Sequence, residues 1–292
     1  MPWLQLKFET HPEQAERLSE LMETNGASAV TMQDAADQPL FEPPPGATPL
    51  WNQILISGLF EANADIDGIL SAIQLALGEM PLPLWSLNPL EDKDWVRAWM
   101  DDYQPMCFGE KLWIVPSTFS PPDPDAVNIL LDPGLAFGTG THPTTAMCLR
   151  WLDAHPPVDQ NIIDFGCGSG ILAIAACRLG ACSALAVDND PQALLATRDN
   201  AQLNKVSAQI QVFLPDDSPA SRVPLLLANI LAGPLHVLAP QFAEQVLPAG
   251  HIVLSGIIES QAEDLMLRYQ PWFEMSVYRQ EEEWICLQGL KR

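Results

Sequence analysis

The 292 residues, 48% hydrophobic and 17% charged, exceed what one small core needs and exclude a disordered chain, so two folded domains are predicted. A formal charge of -23 repels phosphate backbones and attracts basic partners, which argues against direct recognition of nucleic acid. With no apolar run of about eighteen residues and no charged segment leading into an apolar core, neither a membrane span nor a secretory signal is predicted.

The chain opens on a strand, Trp3 to Glu9, in which Leu4, Leu6 and Phe8 alternate with Gln5 and Lys7 as a half-buried strand requires. A helix follows from His11 or Pro12, with Ala15, Leu18, Leu21 and Met22 at three- and four-residue spacing and Gly26 after its end. Ala27 to Met32 and Asn52 to Phe60 are the middle strands, and the loop Pro39 to Pro49 between them is long for such a connection. Ile66, Ile69, Leu70, Ile73 and Leu77 mark a second helix, and Leu82 to Leu87 closes the set. Two split strand-helix-strand units of this kind predict a ferredoxin-like α+β domain over residues 1–90. Residues 91–105, beginning Glu91-Asp92-Lys93-Asp94-Trp95, read as a charged helical linker that Pro105 ends.

Residues 106–292 begin with a hairpin-like segment, Lys111 to Val115, and a second Pro-rich loop, Pro116 to Pro124. Short apolar strands then alternate with helical patterns, which predicts an α/β domain with a parallel sheet covered by helices. The cysteines at 107, 148, 167, 177, 182 and 286 form no C-x-x-C pair and have no histidine at ligand spacing. Mostly set among Ala, Leu and Ile, they read as reduced, core-filling thiols of a cytoplasmic protein, with no metal site.

One segment carries the chemistry. In Asn161-Ile162-Ile163-Asp164-Phe165-Gly166-Cys167-Gly168-Ser169-Gly170-Ile171-Leu172, an apolar strand enters a glycine-rich turn and an apolar helix leaves it. Without Cβ atoms at 166, 168 and 170, the turn can be tight and a ligand can lie against the main chain at the strand's carboxyl end. The spacing is G-x-G-x-G, whereas dinucleotide sites use G-x-G-x-x-G to seat a pyrophosphate, so a nucleoside cofactor is favoured over an oxidoreductase's dinucleotide. The next strand, Ser183 to Asp188, ends in an acid 22 residues after the first glycine, placed to accept bonds from both ribose hydroxyls. Asp190, just before Pro191, suits a helix cap better than Asp188 does.

With these residues the sequence resembles the class I methyltransferases and, within them, the ribosomal protein L11 methyltransferase (PrmA) family. The resemblance spans essentially the whole chain. It also rests on Leu131-Asp132-Pro133-Gly134-Leu135-Ala136-Phe137-Gly138-Thr139-Gly140-Thr141-His142-Pro143-Thr144-Thr145 and on Leu227-Ala228-Asn229-Ile230-Leu231-Ala232-Gly233-Pro234-Leu235. It implies a Rossmann-like sheet binding S-adenosyl-L-methionine, with contacts at Thr145, Gly166, Asp188 and Asn229, to which the turn itself adds Gly168. It further implies methyl transfer to the α-amine and lysine ε-amines of ribosomal protein L11, recognised by the N-terminal domain, with a linker that lets the domains reorient. Asn229 stands where many amine methyltransferases place an Asn or Asp, which makes it the candidate for orienting the amine, although Ile230 and Leu231 follow it instead of two prolines.

Several neighbours have plainer readings. The segment Phe137 to Thr145 is placed to fold over the cofactor, and His142 within it reads as a brace rather than a base. Glu281-Glu282-Glu283 reads as a solvated turn before the last strand. Residues 1–90 hold twelve acids against Lys7 and Arg17, a net -10, and residues 106–292 carry the same -10 over twice the length. The denser negative field makes the N-terminal domain the expected point of capture for a basic protein.

Overall fold

In the computed structural model, which describes residues 3–36, 38, 48–90, 104–132, 138 and 140–292, the chain divides into two units, Met1–Ala98 and Trp99–Arg292. Most of the predicted linker, residues 91–103, lies outside the described residues, as do residues 39–47 of the Pro39–Pro49 loop.

The first unit runs β1 (Trp3–Thr10), α1 (Pro12–Thr24), β2 (Ala29–Asp34), β3 (Ile54–Glu61), α2 (Ile66–Leu77) and β4 (Leu84–Leu90). Its antiparallel sheet has the order β2-β3-β1-β4. Period-two alternation sends Leu6 and Phe8 of β1 to the same face as their partners Gly58 and Ile56 of β3. There they meet Ala15, Leu18 and Met22 of α1 and Ile69, Ile73 and Leu77 of α2 in one buried cluster. Each such aliphatic or aromatic side chain contributes roughly 1.5–3 kcal/mol on burial. Gly58 lets the helix approach the sheet, because a Cβ there would sit 2.4 Å from the Met22 Cε. Gly26, at φ +96°, turns the chain out of α1, and the Asp65 Oδ1 caps α2 by accepting from the Gly68 N–H at 3.1 Å.

Three strands begin later than the apolar pattern predicts, and β3 starts at Ile54 rather than Asn52 because its partners β1 and β2 end at Thr10 and Asp34. β2 starts at Ala29 because the Ala27 N–H still donates to the Met22 carbonyl that ends α1. β4 starts at Leu84 rather than Leu82 because Pro81 and Pro83 have no N–H to give a ladder. The Gln74 side chain holds that stretch instead, donating to the Met80 carbonyl at 2.9 Å and accepting from the Leu82 N–H at 3.1 Å.

The second unit starts with a small sheet in which β5 (Met106–Phe108) and β6 (Leu112–Val115) form a hairpin and β7 (Val127–Leu130) lies parallel to β6. The chain continues through α3 (Pro143–Ala154), β8 (Asn161–Phe165), α4 (Ile171–Arg178), β9 (Ser183–Val187), α5 (Pro191–Leu203), β10 (Ile210–Phe213) and β11 (Val223–Asn229). It ends with α6 (Ala232–Gln245), β12 (Val246–Ile258), α7 (Glu259–Tyr269), β13 (Phe273–Glu281) and β14 (Trp284–Lys291). The seven-stranded sheet has the order β10-β9-β8-β11-β12-β14-β13. Its first five strands are parallel, as predicted, while β14 pairs antiparallel with both β12 and β13, so the sheet is mixed.

Neighbouring residues of one strand serve opposite faces. Ile162, Leu225 and Leu227 pack with residues of α3, α4 and α5, whereas Ile163, Phe165 and Leu226 pack with residues of α6 and α7. Helix α4 is buried at every position from Ile171 to Cys177, which explains a sequence apolar on all sides. Four cysteines are buried as expected, but Cys107 and Cys182 are exposed. Among the described residues no helix is long and apolar enough to cross a membrane. From β8 the chain steps outward to β9 and β10, then crosses to β11 and β12 on the other side. The carboxyl ends of β8, β9 and β11 therefore converge where the strand order reverses, which is where open sheets of this kind bind ligands.

Candidate functional site

The glycine turn joins β8 to α4. Gly166, Gly168 and Gly170 have φ of +78°, +54° and +79°, a left-handed backbone that side chains with a Cβ resist. Neighbouring atoms add a second reason at two of them. A Cβ on Gly166 would lie 2.1 Å from the Ile230 Cγ2, and one on Gly170 would lie 2.8 Å from the Thr197 Cγ2.

Four of the turn's amides are committed to protein acceptors. The N–H groups of Gly166 and Cys167 donate to the Val187 carbonyl at 2.7 and 3.1 Å, and that of Gly170 donates to the Cys167 carbonyl at 2.7 Å. The Gly168 N–H donates to the Asp188 Oδ2 at 2.9 Å. Amides so occupied do not form the open nest that a pyrophosphate needs. Side chains of α5 hold the turn from behind: the Thr197 hydroxyl donates to the Gly168 carbonyl at 3.0 Å, and the Asn200 Nδ2 to the Ser169 carbonyl at 2.8 Å. The Ser169 hydroxyl reaches the Gly138 carbonyl at 2.6 Å.

Asp188, immediately after β9, also accepts the Asp190 N–H through Oδ1 at 3.0 Å. Asp190, not Asp188, caps α5, accepting from the Gln192 N–H at 2.9 Å. Beneath the turn, Asp164 is fully buried, with Oδ2 accepting the Ala173 N–H at 2.9 Å and no hydrogen-bond partner for Oδ1. Burial pushes its carboxyl up to about 7.

These elements wall a cavity of about 630 Å³ lined by Gly166, Gly168, Asp188 and Asn229 among others. Four of the five residues singled out for cofactor contact thus share one space. Thr145 stands behind it, 1% exposed, where its hydroxyl oxygen accepts the Asn229 Nδ2 at 3.1 Å. Asn229 at the end of β11 is fixed partly by the next residue in the chain. Ile230 fits between Gly166 and Gly256, where a Cβ on Gly256 would come within 2.5 Å of the Ile230 carbonyl oxygen.

The far wall has no contiguous signature in the sequence. Leu231 at the start of α6, Pro215, and Trp284 at the start of β14 line the cavity with His142. His142 caps α3, its Nδ1 lying 2.8 Å from the Thr144 hydroxyl and 3.4 Å from the Thr144 N–H, and its ring meets Trp284 edge to face with centroids 4.8 Å apart. This is the bracing role its sequence context suggests. Burial lowers its pKa more than Glu282 and Glu283 raise it, so the ring stays neutral near pH 7. Of the Phe137–Thr145 segment, residues 137 and 139 lie outside the described residues. Glu281, read as part of a solvated turn, is instead half-buried and receives both Arg150, at 2.9 and 3.1 Å, and Arg279 at 2.6 Å. No local signal announces Trp284, which reaches the cavity only because β14 inserts beside β12.

Comparison with known proteins gives the family. The family described as ribosomal protein L11 methyltransferase (PrmA) matches residues 2–292. The ribosomal protein L11 methyltransferase of Marinobacter nauticus is 51% identical over 100% of this chain and 99% of its own length. That of Shewanella sediminis is 48% identical over 100% of both chains. The crystal structure of a ribosomal protein L11 methylase from Lactobacillus delbrueckii subsp. bulgaricus superposes with a TM-score of 0.57 at 30% identity, covering 65% of this chain and 98% of that one. With the match running from end to end and a class I methyltransferase sheet beneath it, the chain belongs to the ribosomal protein L11 methyltransferase family.

Proposed function

We propose that this protein transfers methyl groups from S-adenosyl-L-methionine to the α-amine and lysine ε-amines of ribosomal protein L11. What supports the cofactor assignment is a glycine turn in which the amides of Gly166, Cys167, Gly168 and Gly170 are committed to protein acceptors beside a carboxylate, which suits a nucleoside better than a pyrophosphate. Asp188 holds the ribose, Gly166 and Gly168 let the ligand approach the main chain, and Thr145 orients Asn229 at the floor of the cavity. When bound, the cofactor would supply an electrophilic methyl carbon on a sulfonium, and the acceptor amine would supply the lone pair. Positioning a neutral amine in line supplies most of the rate. A lysine with an ordinary pKa of about 10.4 must first lose a proton, and the α-amine, near 7.7–8.0, does so more readily. His142 braces the start of α3 through its Nδ1. The Asn229 carbonyl oxygen orients the neutral amine.

The first unit, read as a ferredoxin-like recognition domain over residues 1–90, captures the basic substrate, and residues 91–105 link it to the catalytic domain, residues 106–292, in the cytoplasm. Titration calorimetry with S-adenosylmethionine and with NADH tests the cofactor reading, since only the first should bind. Tight binding of NADH would overturn it.

A further inference from the structure

We infer, on the reading above that the first unit captures the substrate, that it does so along the outer edge of β4, where an extended segment of ribosomal protein L11 adds a further strand to the four-stranded sheet. β4 ends the order β2-β3-β1-β4, and among the described residues no strand pairs with its outer side. The register fixes which groups face outward. The Ser28 N–H donates to the Leu59 carbonyl, so odd-numbered residues of β3 bond towards β2 and even-numbered ones towards β1. Carried across the pairs Leu6↔Gly58 and Leu6↔Leu87, this alternation turns the N–H and C=O groups of Leu6 towards β3 and those of Trp85 and Leu87 away from the sheet. Pro89 has the same parity, so its lack of an N–H leaves the ladder to β1 intact. Natural edges are commonly blunted by charge, yet residues 80–90 hold no charged side chain. Leu84, Trp85 and Leu87 are instead 69%, 44% and 38% exposed. The opposite edge, β2, ends in Asp34 and exposes no large apolar side chain to that degree. An edge such as β4 accepts a strand through main-chain bonds, with the apolar side chains on either side of it giving the added strand a place to pack. Charge selects the occupant. Glu9 opposite Leu84 and Glu79 before β4 are both exposed, and residues 1–90 carry a net -10. A second copy of the chain would bring two such fields together, whereas a lysine-bearing segment of a basic protein is drawn in.

Hydrogen exchange on the full-length protein, read by mass spectrometry with and without excess unmodified L11, tests this directly. Exchange in the segment covering residues 84–90 should slow about tenfold when L11 is added, while residues 29–34 at the other edge stay unchanged. Leu87→Pro removes an outward N–H and no bond to β1, and should raise the Kd for L11 about tenfold by calorimetry. If Leu87→Pro does not fold, Trp85→Ser, which removes exposed apolar surface and should also weaken L11 binding, and the exchange pattern of the wild type still decide. Protection elsewhere in the first unit with residues 84–90 unchanged overturns the edge and leaves capture by that unit standing. Protection of residues 84–90 that appears without L11 and grows with protein concentration makes a second copy the occupant and overturns the assignment to L11. No protection anywhere in the first unit, from an L11 that the protein methylates, overturns the capture reading beneath.

Discussion

Asp188→Ala removes a carboxylate whose oxygens accept the N–H groups of Gly168 and Asp190 at 2.9 and 3.0 Å. The change should therefore act twice, on the proposed ribose contact and on the turn. A hydrogen bond to a charged group contributes about 1.5–3 kcal/mol, so losing the ribose contacts should weaken S-adenosylhomocysteine binding by about 2–4 kcal/mol, roughly thirtyfold to a thousandfold. The orphaned Gly168 amide would weaken binding too, by loosening the turn. A double-mutant cycle separates the two effects. Calorimetry should show the 2′-deoxy analogue binding the wild type about 1.5–3 kcal/mol more weakly than the parent ligand, and Asp188→Ala binding both alike. If deleting the hydroxyl costs the same in both proteins, Asp188 does not touch the ribose and the assignment is wrong.

Gly168→Val places a branched side chain at φ +54° on the cavity wall, and should abolish cofactor binding by calorimetry with only a modest loss of stability; normal affinity would refute the geometry of the turn. Asp164 has a folded pKa of about 7 against an ordinary 3.8, so its neutral form stabilises the fold fully below pH 3.8, and that contribution is lost as pH rises towards 7. Asp164→Asn should therefore gain stability relative to the wild type between pH 4 and 8, by about 4 kcal/mol at most, in urea denaturation; a pH-independent difference would contradict the buried carboxyl. Association with ribosomal protein L11, followed by stopped flow, should slow as salt rises and the Debye length falls from about 10 Å at 0.1 M to about 3 Å at 1 M, whereas a salt-independent rate would leave the acidity of the first unit without a role in capture.

The parts legible in the sequence are those built from contiguous residues. β8, the glycine turn, α4 and β9 follow one another without interruption, so apolar runs, three glycines and a terminal acid announce them together. The same holds for the split strand and helix pattern of the first unit, apart from strand starts moved by Pro81, Pro83, the end of α1 and the ends of β1 and β2 opposite Ile54. What the sequence hides is made by distant pairing. The Asn229–Thr145 bond spans 84 positions and the Arg150–Glu281 pair spans 131, so Glu281 reads as a solvated acid until β14 brings its hairpin against α3. Ile230 after Asn229 makes sense only once Gly166 and Gly256 are seen on either side of it. Trp284 joins the cavity for the same reason, by insertion of the last strand between β12 and β13.

The central claim is amine methylation of ribosomal protein L11, and intact-mass and peptide mass spectrometry of purified, unmodified L11 after incubation with this protein and S-adenosylmethionine tests it most directly. The account predicts mass increments of one methylene unit each, mapped to the N-terminal amine and to lysine side chains, and absent when Asp188→Ala replaces the wild type at low cofactor concentration. Unchanged L11 in the presence of a protein that binds the cofactor, or methyl groups mapped to carboxylate or amide side chains, would contradict it.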